Sequence, residues 1–383
     1  MKITGYRSLS TVCNWGQPIG DSNGVVTSGN TEVPILVIET DGGIEGIALG
    51  PHPEFERIFP ALVGEDPRAV SYLYSKMLRT VFKTGHAGSV YGAIGVADMA
   101  LWDLKSKMAD EPLWRTLGGA DRFVPGYASC LEIGVPTENL ASVLQPWADR
   151  GFRAVKLKGG IDLDRDIERL QLARDVFSQN LKRPALMLDV NESWNCKQAV
   201  RHISEIERQV DLTWIEEPVR RWDYQGLHSV SAGIKAGVAT GENLTGLEQF
   251  RPLFERGSVD IAQTGSCWGI THFLKVATLA QAFEIPISAV GYNGDPMAAA
   301  STAVSNHLAI EIQTLNDPEG VSIDREIIDG GIVLGDQIGN GISLDEKAIA
   351  SAEDASWGIP AGPHVRPKRA GLRLNADLAF ADK

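Results

Sequence analysis

From about residue 124 onward, the sequence repeats one pattern: a short apolar segment, a polar residue, and then a stretch with the spacing of an amphipathic helix. The apolar segments are short and rich in Val, Ile and Leu, which is typical of buried strands. Eight of them follow at intervals of roughly 20–30 residues: VPGYASC, RAVKLK, PALMLDV, LTWIEEP, GVATGEN, VDIAQT, IPISAV and LAIEIQ. Eight βα units in about 200 residues predict a (β/α)-barrel rather than an open doubly wound sheet.

The residues before this repeat predict a smaller α+β unit. VPILVIET alternates like a strand, and SVYGAIGVADMALWDLKSKMA carries apolar residues at helical spacing: Ile94, Ala97, Leu101 and Leu104. The last part of the chain contains further turns and a basic patch, HVRPKRAGLR. We therefore expect an N-terminal α+β capping domain at 1–118, the barrel at 119–320, and a C-terminal segment at 321–383 that packs back on the cap.

Charge and composition exclude several classes of protein. The 383 residues carry a formal net charge of −13 and no basic stripe, which argues against nucleic-acid partners and against an anionic membrane surface. No apolar run approaches the ~20 residues of a membrane-spanning helix, and the first residues lack the apolar core of a signal peptide. The four cysteines are scattered without a C-x-x-C pair, so we expect reduced thiols in the cytoplasm: Cys13, Cys130, Cys196 and Cys267.

Three acids stand at or just after the ends of three consecutive predicted strands: Asp189, Glu216 and Glu242. The C-terminal strand ends of a barrel converge on its catalytic face. One such acid alone is usually a solvated loop residue or a helix cap, but three clustered carboxylates repel unless a cation neutralises them. Hard oxygen ligands favour Mg²⁺, with Mn²⁺ as a second option. Glu217 follows Glu216 directly and should point elsewhere, where an ion pair could hold it.

Two lysines, Lys156 and Lys158, share one face of the strand before the first acid. Like charge and a nearby divalent cation should lower their pKa from the reference value of ~10.4, which would make a neutral lysine available as a general base. The alternative is a surface strand with solvated lysines, and the acids on the next three strands count against it. Together these residues suggest a carboxylate substrate bound to the metal, with one lysine removing the adjacent proton and the other stabilising the enediolate.

These motifs resemble those of the enolase superfamily, and within it the mandelate racemase-like subgroup (the mandelate racemase/muconate lactonizing enzyme family). The resemblance covers nearly the whole chain and rests on AIGVADMALWDLKSK, the KxK strand, DVNESW, WIEEPV, GENLTG and GNGISLDE. It implies a (β/α)-barrel, a modified TIM barrel, with a cap built from both ends of the chain. It also implies roles for individual residues: Lys158 as base, Lys156 as carboxylate-binding lysine, and Asp189, Glu216 and Glu242 as Mg²⁺ ligands.

Further expectations come from the same resemblance. Asn191, two residues after the first metal ligand, matches a polar position that often reaches the substrate. The loop near 13–30 is similar to the mobile lid that selects substrates in this family. Members of the family usually assemble through their barrels, so a homo-oligomer is expected.

The sequence departs from the subgroup at the opposite face of the substrate. The subgroup usually carries an Asp after the sixth barrel strand and a His after the seventh, whereas these regions here read VDIAQTGSCWGIT and ISAVGYNGDP, with Val290 in place of the His. The sixth strand also lacks the lysine of the muconate lactonizing subgroup. Candidates for replacement or for substrate binding are Tyr292, Asn293, Asp295, Cys267 and Gln263. Tyr292 can donate a proton or can simply pack at the rim. Glu311 on the eighth strand can bind substrate or pair with a lysine.

Because the Asp and the His of the opposite face are missing, a reaction with a base on one face of the substrate is favoured over a racemase with a base on each face. Dehydration of an acid sugar, a small carboxylate substrate, is the main hypothesis, with Lys158 taking the α-proton. A cycloisomerase that opens or closes a sugar-acid lactone is the runner-up, since it also needs one lysine. The third hypothesis is a non-catalytic carboxylate-binding homologue, which the intact KxK strand argues against.

Overall fold

The N-terminal part of the chain is an antiparallel sheet backed by helices. The computed structural model describes residues 1–84, 86–291 and 294–353. The sheet has the order β1-β4-β5, and a small hairpin, β2–β3, is inserted between its first two strands. The elements of this part are β1 (Ile3–Asn14), β2 (Ile19–Asp21), β3 (Gly24–Val26), β4 (Asn30–Thr40), β5 (Glu45–Leu49), α1 (Phe55–Ile58), α2 (Val70–Thr80), α3 (Gly88–Ala109) and α4 (Leu113–Thr116).

Helix α3 is the central element between this sheet and the rest of the molecule. It covers the stretch that the sequence predicted as a helix, but it is buried nearly all round rather than on one face. A helix that is apolar on every side belongs in the interior of a large protein. Its buried leucines, including Leu101 and Leu104, join the main hydrophobic core together with Leu36 and Ile38 of β4. Each such side chain contributes ~1.5–3 kcal/mol by leaving water.

The second part of the chain is a closed barrel of eight parallel strands. Each strand from β6 to β11 pairs with the strand that follows it in the chain, which carries the sheet as far as β12. The last strand, β13, pairs back with β6, and His307, just before β13, forms a bridge with Ile287 of β12. The strands are β6 (Phe123–Ala128), β7 (Ala154–Lys158), β8 (Ala185–Asp189), β9 (Leu212–Glu216), β10 (Gly237–Thr240), β11 (Ile261–Gly265), β12 (Ile287–Val290) and β13 (Ile310–Ile312). The structure thus confirms the predicted (β/α)-barrel with an α+β cap.

Among the residues that the structure describes, the barrel has one helix fewer than the eight βα units expected from the sequence. A helix follows each of the first seven strands: α5 (Thr137–Ala148), α6 (Leu163–Phe177), α7 (Cys196–Ile206), α8 (Tyr224–Gly233), α9 (Leu247–Glu255), α10 (Ile270–Gln281) and α11 (Gly294–Ser301). In the described chain, β13 leads instead to a strand of the C-terminal segment. Within this described part, no helix is long and apolar enough to cross a membrane.

The C-terminal segment contacts both the cap and the barrel. Its elements are β14 (Val321–Ile323), β15 (Arg325–Ile328), β16 (Gly331–Leu334), β17 (Ile342–Leu344) and α12 (Glu346–Glu353). Val321, Ile342 and Ile349 pack on Ile35 and Val37, which lie on the face of β4 opposite α3. The β15–β16 hairpin instead extends the barrel sheet, because β16 pairs antiparallel with the start of β6. The basic patch HVRPKRAGLR lies outside the described residues.

Asp103 on α3 ties these parts together and provides a test of the fold. Its buried carboxylate accepts hydrogen bonds from the backbone N–H groups of Ile47 and Asn340, both at 2.8 Å, and pairs with Lys107 at 2.7 Å. Asp103→Ala leaves these buried donors unpaired, so we expect the free energy of unfolding to fall by ~3 kcal/mol or more in guanidinium titrations. Asp175→Ala, which removes an exposed carboxylate, is the control and should cost less than ~0.5 kcal/mol. Equal midpoints for the two variants would contradict this role.

Candidate active site

The predicted metal ligands lie together at the C-terminal end of the barrel. Asp189 ends β8 and is the direct pairing partner of Glu216, which ends β9. Glu242 follows β10 by two residues and is partly buried, whereas Asp189 and Glu216 are fully buried. The strands place these side chains inside the barrel because every second residue of a barrel strand faces inward.

Both predicted lysines of β7 point into the same cluster. The Nζ of Lys158 lies 2.5 Å from Oδ2 of Asp189, its neighbour across the sheet. The Nζ of Lys156 lies 2.5 Å from Oε1 of Glu216 and 2.8 Å from Oε1 of Glu311 on β13. Glu311 thus pairs with Lys156, which is one of the two roles that the sequence left open for this acid.

The expectation that these lysines have a lowered pKa is wrong for this arrangement of charges. Burial acts to lower the pKa of Lys158, but Asp189 together with Glu311 and Glu242 outweighs burial and the repulsion of Lys156, so the pKa is raised. The pKa of Lys156 is likewise raised well above its usual value, because Glu216 and Glu311 overcome its burial. Each ammonium lies 2.5 Å from a carboxylate oxygen.

Carboxylates outnumber ammonium groups inside the barrel mouth. Burial raises the pKa of Glu216 to about 8, with Asp189, Glu311 and Glu242 adding to the effect against the attraction of Lys156. The pKa of Glu242 is raised to about 7 by burial and then by Asp189. Two lysines do not neutralise these four acids.

Glu217 adds a fifth carboxylate to this region. Its partner is an amide rather than the ion pair suggested by the sequence: the Nδ2 of Asn243 donates to Glu217 at 2.8 Å and to Glu242 at 3.0 Å. Burial, followed by the charges of Glu242, Asp189 and Glu192, raises the pKa of Glu217 well above its usual value. The donor set is therefore rich in oxygen and holds more acidic side chains than the two ammonium groups can pair with, which fits a hard divalent cation that would take the place of the acidic protons.

The cluster is not arranged as a finished ligand set. Among residues 1–84, 86–291 and 294–353, no three Asp, Glu, His or Cys side chains stand around one point as a metal site. The ammonium groups of Lys156 and Lys158 lie against the carboxylates instead. The residue types and the surplus of acidic side chains thus support a cation, while the side-chain positions are those of a lysine–carboxylate network.

Strained backbone conformations directly follow β8 and β9, the strands that end in Asp189 and Glu216. Asn191 (φ 44°), Glu192 (φ 58°) and Glu217 (φ 46°) adopt left-handed conformations without being glycine. Such residues cost of order 1–3 kcal/mol each and are common at functional sites. The turn holds Asn191 close to the cluster, because its backbone N–H donates to Oδ1 of Asp189 at 2.9 Å. Glu192 was not singled out from the sequence, and its carboxylate binds Arg221 at 2.6 Å.

The structure places the other predicted substrate-binding residues as follows. Gln263 on β11 is buried, and its Nε2 donates to Oε2 of Glu216 at 2.7 Å, so it belongs to the same cluster. Tyr292 and Asn293 lie outside the described residues, and Asp295 lies in a stretch whose side chains are not described. Burial raises the pKa of the Cys267 thiol to about 12, which makes it a weak proton donor at neutral pH.

The ends of β11 and β12 carry neither Asp nor His within the described residues. The chain reads Gly265 and Ser266 at the end of the first of these strands, and Val290 and Gly291 at the end of the second. His272, the histidine next along the chain from β11, is buried on α10 and donates to the carbonyl of Thr245 at 2.6 Å. Burial lowers its pKa to about 4, as expected for a neutral structural histidine.

The β2–β3 hairpin covers the mouth of the barrel, at the place where the resemblance implied a lid. The backbone N–H of Gly20 donates to the carbonyl of Leu131 at 2.7 Å, and Oγ of Ser22 donates to the carbonyl of Val190 at 3.2 Å. Ile19 and Val26 pack against Leu131 in a small apolar cluster. The hairpin therefore contacts the C-terminal ends of both the first and the third barrel strands.

A barrel with lysines on its second strand and acids on the next three defines a class of enzyme, and comparison with known proteins identifies the family. Residues 139–348 match the model of the enolase C-terminal domain-like family, and residues 17–118 match the N-terminal domain of mandelate racemase / muconate lactonizing enzyme. The chain therefore belongs to the mandelate racemase/muconate lactonizing enzyme family of the enolase superfamily, as the sequence motifs predicted.

Three similar proteins illustrate the range of this family. A 3,6-anhydro-alpha-L-galactonate cycloisomerase of Streptomyces coelicolor is 30% identical over 75% of this chain and 79% of its own length. An L-talarate/galactarate dehydratase of Salmonella typhimurium is 31% identical over 65% of this chain and 66% of its own length. The structure of a racemase from Streptomyces coelicolor with bound magnesium superimposes with a TM-score of 0.83 at 26% identity, covering 91% of this chain and 99% of that one.

The excess of carboxylates predicts how stability depends on pH in the presence of EDTA. The folded pKa values of Glu216 and Glu242 lie above their usual values, so the folded state favours their protonated forms. Their contribution to stability is complete below the usual pKa and is lost as pH rises through about 7 and 8. We expect the Tm with EDTA to fall by a few degrees between pH 6 and 9, measured by scanning fluorimetry. Glu216→Gln should flatten this slope, and an equal slope in both proteins would contradict the assignment.

Proposed function

We propose that this chain is a Mg²⁺-dependent enzyme that removes the proton α to a substrate carboxylate, and that it dehydrates an acid sugar. The observation that carries the proposal is the contact of Lys156 and Lys158 with an excess of carboxylates at the ends of β8 and β9. Asp189, Glu216 and Glu242 would hold the metal, and Mn²⁺ would suit the same ligands. When bound, the ion supplies a Lewis acid that stabilises negative charge on the substrate carboxylate. Magnesium in the similar racemase structure supports this choice.

Lys158 is the proposed base. In the arrangement described above it is protonated, because Asp189 lies 2.5 Å away and raises its pKa. With Asp189 engaged as a metal ligand, the attraction between the two residues weakens, so the pKa of Lys158 falls towards that of a usable base. Lys156 remains charged because Glu311, which is not one of the proposed ligands, lies 2.8 Å away, and this ammonium stabilises the enediolate form of the substrate.

Residues on one face of the substrate can then complete both proton transfers of the dehydration. Lys158 takes the α-proton, the electron pair left on the α-carbon forms the double bond as the β C–O bond breaks, and the departing hydroxyl leaves as water after receiving a proton from Lys158. The resulting enol becomes a 2-keto-3-deoxy acid. Gln263 and Asn191 are proposed to orient the substrate hydroxyls, and Tyr292 remains a sequence prediction for a proton donor on the other face.

A cycloisomerase acting on a sugar-acid lactone is the second candidate. It is favoured by the similar 3,6-anhydro-alpha-L-galactonate cycloisomerase, which aligns over three quarters of this chain. Such a reaction also needs one base and a stabilised α-carbanion. The two functions differ in product, because only dehydration releases a 2-keto-3-deoxy acid.

The test is a screen of acid sugars and their lactones with Mg²⁺, read for keto-acid formation with semicarbazide and for isomerisation by NMR. Keto-acid release that EDTA abolishes is the expected result. Isomerisation without keto acid would establish the cycloisomerase instead. Metal-dependent ligand binding without α-proton exchange would contradict both and leave a non-catalytic carboxylate-binding protein.

The proposal also covers the compartment, the assembly, the substrate size and the domain bounds of the chain. We propose a cytoplasmic enzyme that forms a homo-oligomer, acts on a small carboxylate, and divides into regions at about 1–118, 119–320 and 321–383. All four cysteines are unpaired, in agreement with a reducing compartment.

Replacing the two lysines should separate their roles. Lys158→Met removes the base, so kcat should fall by ~10²–10⁴-fold while Mg²⁺ affinity is largely kept. Lys156→Met should lower kcat and also raise KM, because this lysine stabilises the bound carboxylate as well as the enediolate. The measurements are steady-state kinetics and calorimetric Mg²⁺ titration, with circular dichroism as the check on folding. Near-normal turnover in Lys158→Met would show that the base is elsewhere.

Proton exchange should occur on one face of the substrate only. The described ends of β11 and β12 carry no Asp or His, so the lysine face is the one with an assigned base. In D₂O we expect one enantiomer of a 2-hydroxy acid substrate to exchange its α-proton without racemising, as followed by ¹H NMR and polarimetry. Rapid interconversion of both enantiomers would reveal a second base, with Tyr292 the first residue to replace.

A further inference from the structure

The loop that carries Glu242 is held by residues outside the barrel cluster. This loop, Gly241–Thr245, follows β10 and has no regular secondary structure. Its far end is fixed through Thr245: the carbonyl accepts hydrogen bonds from the hydroxyl of Tyr91 at 2.9 Å and from Nε2 of His272 at 2.6 Å. Tyr91 belongs to the cap helix α3, so the cap contributes directly to the geometry of the loop.

The near end of the loop is fixed at Glu242 itself. The indole Nε1 of Trp268 donates to the backbone carbonyl of Glu242 at 2.5 Å. The end of β11 lies against the same carbonyl, since a Cβ added to Gly265 would lie 2.7 Å from it and 3.0 Å from Nε1 of Trp268. A side chain at position 265 would therefore compete with the indole for the space beside Glu242.

Trp268 is in turn positioned by α3. Its ring packs edge-on against Tyr91, with ring centroids 5.5 Å apart, and the Tyr91 hydroxyl also accepts from Tyr74 at 2.9 Å. Gly95 lets the helix backbone meet the turn at 266–268, because a Cβ there would lie 2.0 Å from the Cys267 carbonyl. Backbone-to-backbone contact of this kind leaves little freedom for the turn.

We propose that Trp268 is a positioning residue for Glu242, and that the cap helix fixes this metal ligand through Tyr91 and Trp268. The inference rests on the proposed function, in which Glu242 binds Mg²⁺. Trp268 does not touch the metal or the reacting atoms. It restricts the backbone from which the Glu242 carboxylate extends, and the restraint lowers the cost of ordering that ligand when the ion binds.

The test compares two tryptophans that make the same kind of hydrogen bond. Trp268→Phe keeps an aromatic ring and removes the indole N–H. Trp114→Phe is the matched control. Trp114 lies on α4, away from the barrel mouth, and its Nε1 donates to the carbonyl of Gly335 at 3.1 Å. Each protein is titrated with MgCl₂ by calorimetry, and its Tm is measured with EDTA and with saturating Mg²⁺.

We expect the Kd for Mg²⁺ to rise ~10-fold in Trp268→Phe and to stay within twofold of the parent in Trp114→Phe. With EDTA, the two variants should lose similar amounts of Tm, since each loses one hydrogen bond, but only Trp268→Phe should gain less Tm from Mg²⁺. Equal Mg²⁺ affinity in Trp268→Phe and the parent would overturn the inference while leaving the proposed function standing.

A second variant covers the case in which Trp268→Phe does not fold. Tyr91→Phe keeps the ring against Trp268 and removes one of the two hydrogen bonds to the Thr245 carbonyl, leaving the one from His272. The far end of the loop is then held less firmly, and the Kd should rise more than twofold. An unchanged Kd in Tyr91→Phe would then overturn the inference. A parent chain that does not bind Mg²⁺ at millimolar concentration would overturn the proposed function, and the role of Trp268 with it.

Discussion

The organisation of the barrel mouth depends on the attraction between two buried ammonium groups and a larger number of carboxylates. Burying a single charge costs several kcal/mol, and a buried pair recovers this cost only when its geometry is good. Lys158 with Asp189, and Lys156 with Glu216 and Glu311, meet that requirement at 2.5–2.8 Å. Burial raises the pKa values of Glu216 and Glu242, and the neighbouring carboxylates that these lysines do not offset add to the effect.

The same charges explain the difference between a resting and a reactive lysine. Beside an ionised Asp189, Lys158 is held protonated and cannot act as a base. A cation shared by the carboxylates would compete for the charge of Asp189, so the base and the metal site are coupled through one residue. The account therefore predicts that metal binding and the availability of the base change together, which a site with separate metal and base residues would not show.

The cap contributes to the site as well as covering it. The β2–β3 hairpin lies on the strand ends, and α3 reaches the loop of Glu242 through Tyr91. Asp98 on the same helix accepts from both the backbone N–H and the hydroxyl of Thr271, at the start of α10. A helix that is buried on every side and bonded to the barrel in this way acts as a rigid support.

Much of the fold and the site was predictable from the sequence, because the strand-end acids and the KxK strand are local patterns with a fixed period. Which charges pair is a matter of distance, so the sequence did not predict that Asp189, Glu311 and Glu242 would raise the pKa of Lys158 when these side chains contact one another directly. No local pattern signals the pairing of β16 with β6, because these strands are remote in sequence. The same holds for the hydrogen bond from Trp268 to Glu242, because the two residues lie in different loops. A tryptophan within the glycine-rich stretch GSCWG was the one available hint.

The central claim is that Asp189, Glu216 and Glu242 together hold one divalent cation. Anomalous diffraction from crystals grown with Mn²⁺ in place of Mg²⁺ tests it most directly, because the ion is located without assuming its ligands. The account predicts one strong anomalous peak per chain, within coordination distance (~2.0–2.3 Å) of oxygens from all three residues. No peak at the barrel mouth, or a peak bound by other side chains, would contradict it.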